Sequence, residues 1–191
     1  MVKNIPTFYK GYEFRSRSEA RWAVFFDTLN MQWAYEPEGY TLSSGVWYLP
    51  DFYLLESNTY FEVKGADEVA DLSKIIALGR DLRAPVAVGF YDITFQADAD
   101  FSYNAYELEG KEDSWLVRCR KCKKYFFLGS SGGWACRCCG FYDGDNTFSN
   151  LPFSGDLCNM DDKFYTYNDP VIRAVVAARR ARFEHGETPK V

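Results

Sequence analysis

The chain has 191 residues, 47% of them hydrophobic and 26% charged, with a formal net charge of −5. That length suits one main domain with an embellishment rather than two full domains. The acidic balance excludes a protein that coats nucleic acid by bulk electrostatics, because phosphate binding is driven by Lys and Arg displacing counterions. No stretch approaches the roughly 20 apolar residues of a membrane span, so no membrane partner is expected. The first ten residues lack the apolar run of a signal peptide, so the six cysteines read as reduced thiols and the expected location is cytoplasmic.

From Ser16 to Leu29 the pattern is helical, with Trp22, Phe25, Phe26 and Leu29 forming one apolar stripe behind Ser16 as N-cap. Four aromatic-rich extended runs follow, Trp33–Glu36, Val46–Leu49, Asp51–Leu55 and Thr59–Lys64, and are expected to be neighbouring strands of one sheet. Asp67–Arg83 predicts a second helix and Pro85–Tyr91 a further strand. The order helix, strands, helix, strand implies an α/β core with a mixed sheet flanked by helices. Between Asp92 and Tyr165 the composition shifts to Gly, Asp, Ser, aromatic and Cys, which suits short strands and turns. A closing helix is expected from Asp169 to Glu184, with Pro170 in its first turn. The expected organisation is therefore a core over 1–92, an insertion over 93–168 and a C-terminal helix and tail over 169–191.

Strand residues alternate faces, so Glu62 and Lys64 point the same way in Thr59–Lys64. A Glu–Lys pair on an exposed edge is one reading of these two. Asp51 opens the neighbouring run after Pro50, and a hairpin turn near Glu56–Asn58 brings it close to Glu62. Two carboxylates so placed call for a cation, and a hard divalent ion such as Mg²⁺, which takes one or two carboxylates and completes its shell with water and phosphate oxygens, fits that inventory. Glu19 extends the apolar stripe of the first helix and faces the sheet. It also fits a capping box with Ser16, and the two roles are compatible. Glu36 and Glu38, flanking Pro37, are weaker additional acids, more in keeping with ordinary surface positions. His185 has no Asp, Ser or Cys nearby in sequence, so a serine triad or a histidine-centred metal enzyme has little support.

Cys119 and Cys122 are separated by two residues, as are Cys136 and Cys139. Two such knuckles close a tetrahedral four-thiolate zinc site. Cys138 competes with Cys139 for the fourth position; the spacing and Gly140 favour Cys139, and the sequence leaves both open. With every position filled by protein, this Zn²⁺ would be structural and would add folding energy to a segment over about 115–142 that has few aliphatic residues. Cys158 reads as a lone buried thiol. Arg118, Arg120, Lys121, Lys123 and Lys124 surround the first knuckle, with Tyr125, Phe126, Phe127 and Trp134 close by. This mixture suits either a nucleic-acid backbone clamp or a charged ribbon with a small aromatic core.

The set Ser18-Glu19-Ala20 on a first helix, Leu49-Pro50-Asp51-Phe52 at one strand and Glu62-Val63-Lys64-Gly65 on the next resembles the PD-(D/E)XK nuclease superfamily. The resemblance covers about residues 7–92, and each piece falls on the expected type of element. The cysteine segment resembles a zinc ribbon. Within the superfamily the chain looks most like small nucleases of phage genomes, some described as resolvase-like. The resemblance implies a restriction-endonuclease-like core with a small zinc-ribbon insertion. It implies Mg²⁺ or Mn²⁺ held by Asp51, Glu62 and the Val63 carbonyl, with Glu19 joining directly or through water, and Lys64 positioning the attacking water. The implied activity is metal-dependent hydrolysis of DNA, with junction or flap substrates within its range. Arg17, Arg120, Lys121, Lys123 and Lys124 are the expected DNA contacts. A homodimer and DNA-processing proteins of phage or host are compatible partners. A non-cutting DNA-binding or assembly module on the same fold is the alternative.

Overall fold

The first helix, α1 (Arg17–Thr28), starts where Ser16 adopts an extended backbone and its Oγ accepts the Glu19 N–H at 3.2 Å. It stops at Asn30, whose φ of 54° is the left-handed conformation that asparagine tolerates. The Met31 N–H then reaches the Phe26 carbonyl and the Asn30 N–H the Asp27 carbonyl, closing the helix end in a Schellman motif. These contacts come from a computed structural model that describes residues 5–65, 72–90, 93, 101–103, 114–119, 121–129, 135–141 and 170–183.

Ahead of α1 stands a hairpin of β1 (Thr7–Tyr9) and β2 (Tyr12–Phe14). Its two-residue turn, Lys10-Gly11, has positive φ at both positions, as a type I′ turn requires. Asp27 ties the hairpin to α1, accepting from Tyr9 Oη at 2.8 Å and pairing with Lys10 at 2.9 Å.

The strands β3 (Trp33–Tyr35), β6 (Phe52–Leu54), β7 (Thr59–Lys64), β8 (Val86–Phe90) and β9 (Phe101–Tyr103) form one sheet in the order β3-β6-β7-β8-β9. The sheet is mixed, since β7 pairs antiparallel with β6 and parallel with β8. Between them runs α2 (Ser73–Leu82), the crossover that a parallel pair needs. The expected start of that helix at Asp67 lies outside the described residues. The helix α3 (Pro170–Arg180) packs against α1 through small side chains, Ala20, Ala23, Ala174 and Ala178, all fully buried. It ends at Arg180, short of the expected Glu184, and Ala181–Phe183 continue without helical structure.

Face alternation on the sheet gives three layers. Phe52, Leu54, Phe61 and Ala87 join Trp22, Phe25 and Phe26 of α1 in one core, while Tyr60, Val86 and Val88 join Ile75 and Leu78 of α2 in a second. Two expectations are corrected here. The run Val46–Leu49 does not enter the main sheet: its strand β5 (Trp47–Tyr48) pairs with β4 (Tyr40–Thr41) in a separate two-stranded piece. And a strand from the region read as insertion, β9, completes the main sheet beside β8.

The hairpin β10 (Ser114–Arg118) and β11 (Tyr125–Gly129) also shares the main core, where Leu116, Tyr125 and Phe127 are buried. The Phe127 ring lies 5.3 Å from that of Phe61. No helix among the described residues is long and apolar enough to cross a membrane.

Gly89 shows how tightly the central strands are filled, because a methyl group there would collide with the rings of Trp22 and Phe61. Gly89→Ala is therefore expected to lower unfolding free energy by about 1–3 kcal/mol, read as a fall in thermal midpoint. An unchanged midpoint would show that α1 can lift off the sheet at no cost.

Candidate active site and cysteine cluster

The antiparallel pairing of β6 with β7 stops at Phe52 opposite Phe61, and continuing its register by one residue sets Asp51 opposite Glu62. Here the backbone ladder gives way to a side chain: Asp51 Oδ2 accepts the Val63 N–H at 2.8 Å. Tyr60, three residues earlier, donates its N–H to Pro85 on the β8 side. Strand alternation therefore directs both polar backbone groups of Val63 toward Asp51.

Among the described residues, the buried charged side chains are Glu19, Asp51 and Glu62, exposed by 7%, 7% and 8%. They are the three acids expected from the sequence. Each is held by donors. Glu62 accepts from Tyr48 Oη at 2.6 Å through Oε2 and from Lys64 Nζ at 2.9 Å through Oε1. The Glu–Lys pair is real, but on a central, largely buried strand rather than an exposed edge. Glu19 accepts from Ser16 Oγ at 2.7 Å, Tyr35 Oη at 2.6 Å and the Arg15 N–H at 3.0 Å. Its carboxylate thus reaches back past the N-cap to the preceding amide, so capping and site-facing roles coexist.

The electrostatic balance is unfavourable for Asp51. Burial, then the charges of Glu62 and Glu19, hold its carboxyl well above the usual range, against the opposing pull of the Val63 N–H and Arg15. The same burial, reinforced by Glu62, keeps the Tyr48 phenol protonated and therefore a donor. Arg15 forms an ion pair with Glu36 and stands 3.5 Å from Asp51 Oδ1. Glu36 thus belongs to the rim of the cluster, whereas Glu38 is exposed and only 3.5 Å from Tyr40 Oη.

Sequence reasoning missed Tyr35, Tyr48 and the role of Arg15. The tyrosines meet their acids across 16 and 14 residues of chain, a distance over which no local spacing signals contact. Arg15 adjoins the N-cap Ser16, and that adjacency was the available hint.

The second constellation lies at the tip of the β10–β11 hairpin. Ligand atoms of Cys119, Cys122, Cys136 and Cys139 all lie within 4.8 Å of one another, and this is the group of His, Cys, Asp or Glu so arranged among the described residues. The three carboxylates do not converge as closely. Cys119 Sγ stands 3.8 Å from Cys139 Sγ, and Cys122 Sγ 3.7 Å from Cys136 Sγ. These separations match the edge of a tetrahedron with zinc–sulfur bonds of about 2.3 Å, roughly 3.8 Å, and are far too long for disulfides. The four thiols can hold a metal ion such as zinc.

The two knuckles repeat one geometry. Lys123 N–H returns to the Cys119 carbonyl and Gly140 N–H to the Cys136 carbonyl, with φ of 65° and 67° at the two returning residues. Gly140 is thus the glycine that this turn favours, while Lys123 adopts the same conformation against its steric preference. Burial raises the Cys119 thiol, but the N–H groups of Cys122 and Lys121 outweigh it and bring it to about 7. Cys138 turns away to the Tyr125 carbonyl, and burial pushes its thiol up to about 12. Cys139, not Cys138, is the fourth member.

The expected DNA contacts fare unevenly. Lys124 is paired with Glu56 at 2.7 Å, which ties the first knuckle to the turn joining β6 and β7. Lys121 lies over the Phe141 ring at 5.7 Å, and Arg17 and Lys123 are exposed. The Arg118 guanidinium braces its own hairpin, donating to the Lys123 carbonyl at 2.8 Å. Arg120, Trp134, Cys158 and His185 lie outside the described residues.

A raised carboxyl pKa means that the folded state binds the proton more readily than the unfolded chain. Asp51 therefore favours folding below its ordinary value near 3.8, and that contribution is lost as pH rises through its raised value. In buffer without magnesium or manganese, Asp51→Asn should raise the thermal midpoint at pH 7 and raise it less at pH 4. Equal shifts at the two pH values would contradict the charge crowding described.

Comparison with protein-family models, with curated proteins and with solved structures gives no match in any of the three, so the chemistry of both sites rests on their own geometry.

Proposed function

We propose that the chain is a divalent-metal-dependent deoxyribonuclease of the PD-(D/E)XK type, with a structural zinc ribbon packed against its core. The observation that carries this reading is the gathering of three buried carboxylates, with Lys64, where β6 and β7 part. Buried ions without full compensation are costly, by several kcal/mol each even after relaxation. Asp51 in particular is crowded by like charge. A structural role would be served as well by apolar side chains, whereas a cation-binding role needs the acids.

The residues fit Mg²⁺ or Mn²⁺. Asp51 and Glu62 supply two carboxylates, the Val63 carbonyl is directed the same way by strand alternation, and Glu19 stands at the edge of the group. Such an ion, when bound, supplies polarisation of a phosphodiester oxygen and acidification of water. The remaining work belongs to the chain. Tyr48 and Tyr35 fix the rotamers of Glu62 and Glu19, and the Val63 N–H fixes Asp51. Lys64, on the face of Glu62, places a positive charge where the transition state develops negative charge. The element order also supports the superfamily: an acid on the first helix, an antiparallel hairpin bearing the Asp and the Glu-x-Lys, then a helical crossover to a parallel strand.

The zinc assignment rests on the tetrahedral sulfur separations and on Phe126, which is buried against Cys119 and Cys136 in a small core of its own. Lys121 and Lys123 of the knuckle are exposed and, unlike Lys124, not paired with Glu56, and they fit a backbone grip on DNA outside the catalytic cleft.

Purified protein with labelled linear, circular, flap and four-way-junction DNA should cut one or more of them with Mg²⁺ or Mn²⁺. Glu62→Ala should reduce the rate at least a hundredfold while leaving the fold intact. No cutting by folded, zinc-loaded wild-type protein would favour a DNA-binding module instead. Elemental analysis should find one zinc per chain. Cys139→Ser should lose it and melt lower, while Cys138→Ser should keep it; zinc lost in both variants, or in neither, would overturn the assignment.

A further inference from the structure

Arg15 does two separable things at the mouth of the acid cluster. Its backbone N–H holds Glu19 Oε2, a contact that any residue at this position keeps. Its guanidinium, on a side chain 56% exposed, uses one terminal nitrogen to pair with Glu36 and to approach Asp51 Oδ1 at 3.5 Å. That second contact is a coulombic one without a tight hydrogen bond. Undoing it breaks no hydrogen bond to Asp51 and can leave the hold of Glu36 and Tyr35 in place.

Glu36 is built to stay where it is. Its N–H donates to the Asp51 carbonyl at 2.8 Å, extending the β3–β6 pairing by one step, and its φ is 43°. An L residue in the left-handed region is strained, and such strain persists where the surroundings fix it. Its Oε1 is shielded from solvent and has no partner in hydrogen-bond geometry, only the charge of the Arg15 guanidinium beside it. Lys64 and Arg15 thus differ. Lys64 is largely buried and hydrogen-bonded to Glu62, whereas Arg15 is exposed, held by Glu36 and the Tyr35 hydroxyl, and only at coulombic range from Asp51.

We propose that the Arg15 guanidinium is a resident counter-cation of Asp51, parked by Glu36, which a divalent ion displaces and which then binds a phosphate of the nucleic-acid backbone. This rests on the reading of Asp51 and Glu62 as a divalent-metal site. Two cations repel at one carboxylate oxygen, so metal on Asp51 drives the guanidinium off. Glu36 then keeps it at the rim, where its planar fork matches a phosphate in two parallel hydrogen bonds. Glu36 acts here as a positioning residue and Arg15 as a substrate contact.

The test uses the zinc-loaded full chain and two readouts other than activity. Mn²⁺ binding is measured by titration calorimetry with Glu62→Ala as background, and binding of a fluorescent duplex is measured by anisotropy in Ca²⁺. Arg15→Gln should bind Mn²⁺ roughly tenfold tighter, about 1.4 kcal/mol, and bind the duplex more weakly. Arg15→Lys should keep near wild-type Mn²⁺ affinity, because the charge remains, while losing duplex affinity. Glu36→Gln should weaken Mn²⁺ binding by leaving the guanidinium to Asp51 alone. Unchanged Mn²⁺ affinity in Arg15→Gln overturns the displacement, and unchanged duplex affinity overturns the phosphate role. Should Arg15→Gln fail to fold, equal or tighter Mn²⁺ binding by Glu36→Gln overturns the proposal by itself. A wild-type chain with no Mn²⁺ binding above the Glu62→Ala background fails earlier, on the metal site.

Discussion

Three carboxylates held out of water in one place are the constraint around which the fold is arranged. Glu19, Asp51 and Glu62 come from a helix, a strand entry and a central strand, and none is buried by chance of packing. Each has dedicated donors: Ser16, Tyr35 and the Arg15 amide for Glu19, the Val63 amide for Asp51, and Tyr48 with Lys64 for Glu62. The donors orient the acids without neutralising them, since most are neutral hydroxyls and amides, and Lys64 and Arg15 are the described donors that bring positive charge. A fold that accepts this cost gains a preorganised anionic cleft in a low-dielectric setting, where a bound cation and a developing negative charge are both felt strongly.

The surrounding architecture serves to keep that cleft rigid. Trp22 of α1 fills the space left by Gly89 and lies 4.8 Å, ring to ring, from Phe61, the residue before Glu62. The other side of the Phe61 environment is closed by Phe127 from the cysteine-bearing hairpin, and Lys124 pins the first knuckle to Glu56 in the β6–β7 turn. The cysteine segment is therefore joined to the strand that carries Glu62 by an aromatic contact and an ion pair. Metal in the four-thiol site would stiffen the strand that carries Glu62 through packing.

How far the sequence foretold this depends on the range of each interaction. The apolar stripe of α1, the alternation in Thr59–Lys64 and the hairpin turn at Glu56–Asn58 are local, and together they were enough to bring Asp51 beside Glu62. The four thiols were legible for the same reason, since two residues of spacing dictate a knuckle, and the repeated left-handed turn at Lys123 and Gly140 explains why Gly140 marks Cys139. Other features were local but weak. The β1–β2 hairpin has a Lys10-Gly11 turn signal between strands of only three residues, too short to show a period. Tyr35, Tyr48 and the Arg15 guanidinium were not legible at all, because their partners are set by how layers stack. The run at Val46–Leu49 had the right composition for a sheet strand, but Tyr48 left the main sheet to reach Glu62 from the side.

The account stands or falls on whether a divalent ion occupies the gap between β6 and β7. Crystals of the zinc-replete protein grown with saturating Mn²⁺, and measured at the manganese and zinc absorption edges, address that directly. The expected result is manganese density bounded by Asp51, Glu62 and the Val63 carbonyl, with zinc confined to the four thiols. Ordered acids around a gap without manganese density would contradict the catalytic reading and leave a buried acidic cluster in need of another explanation.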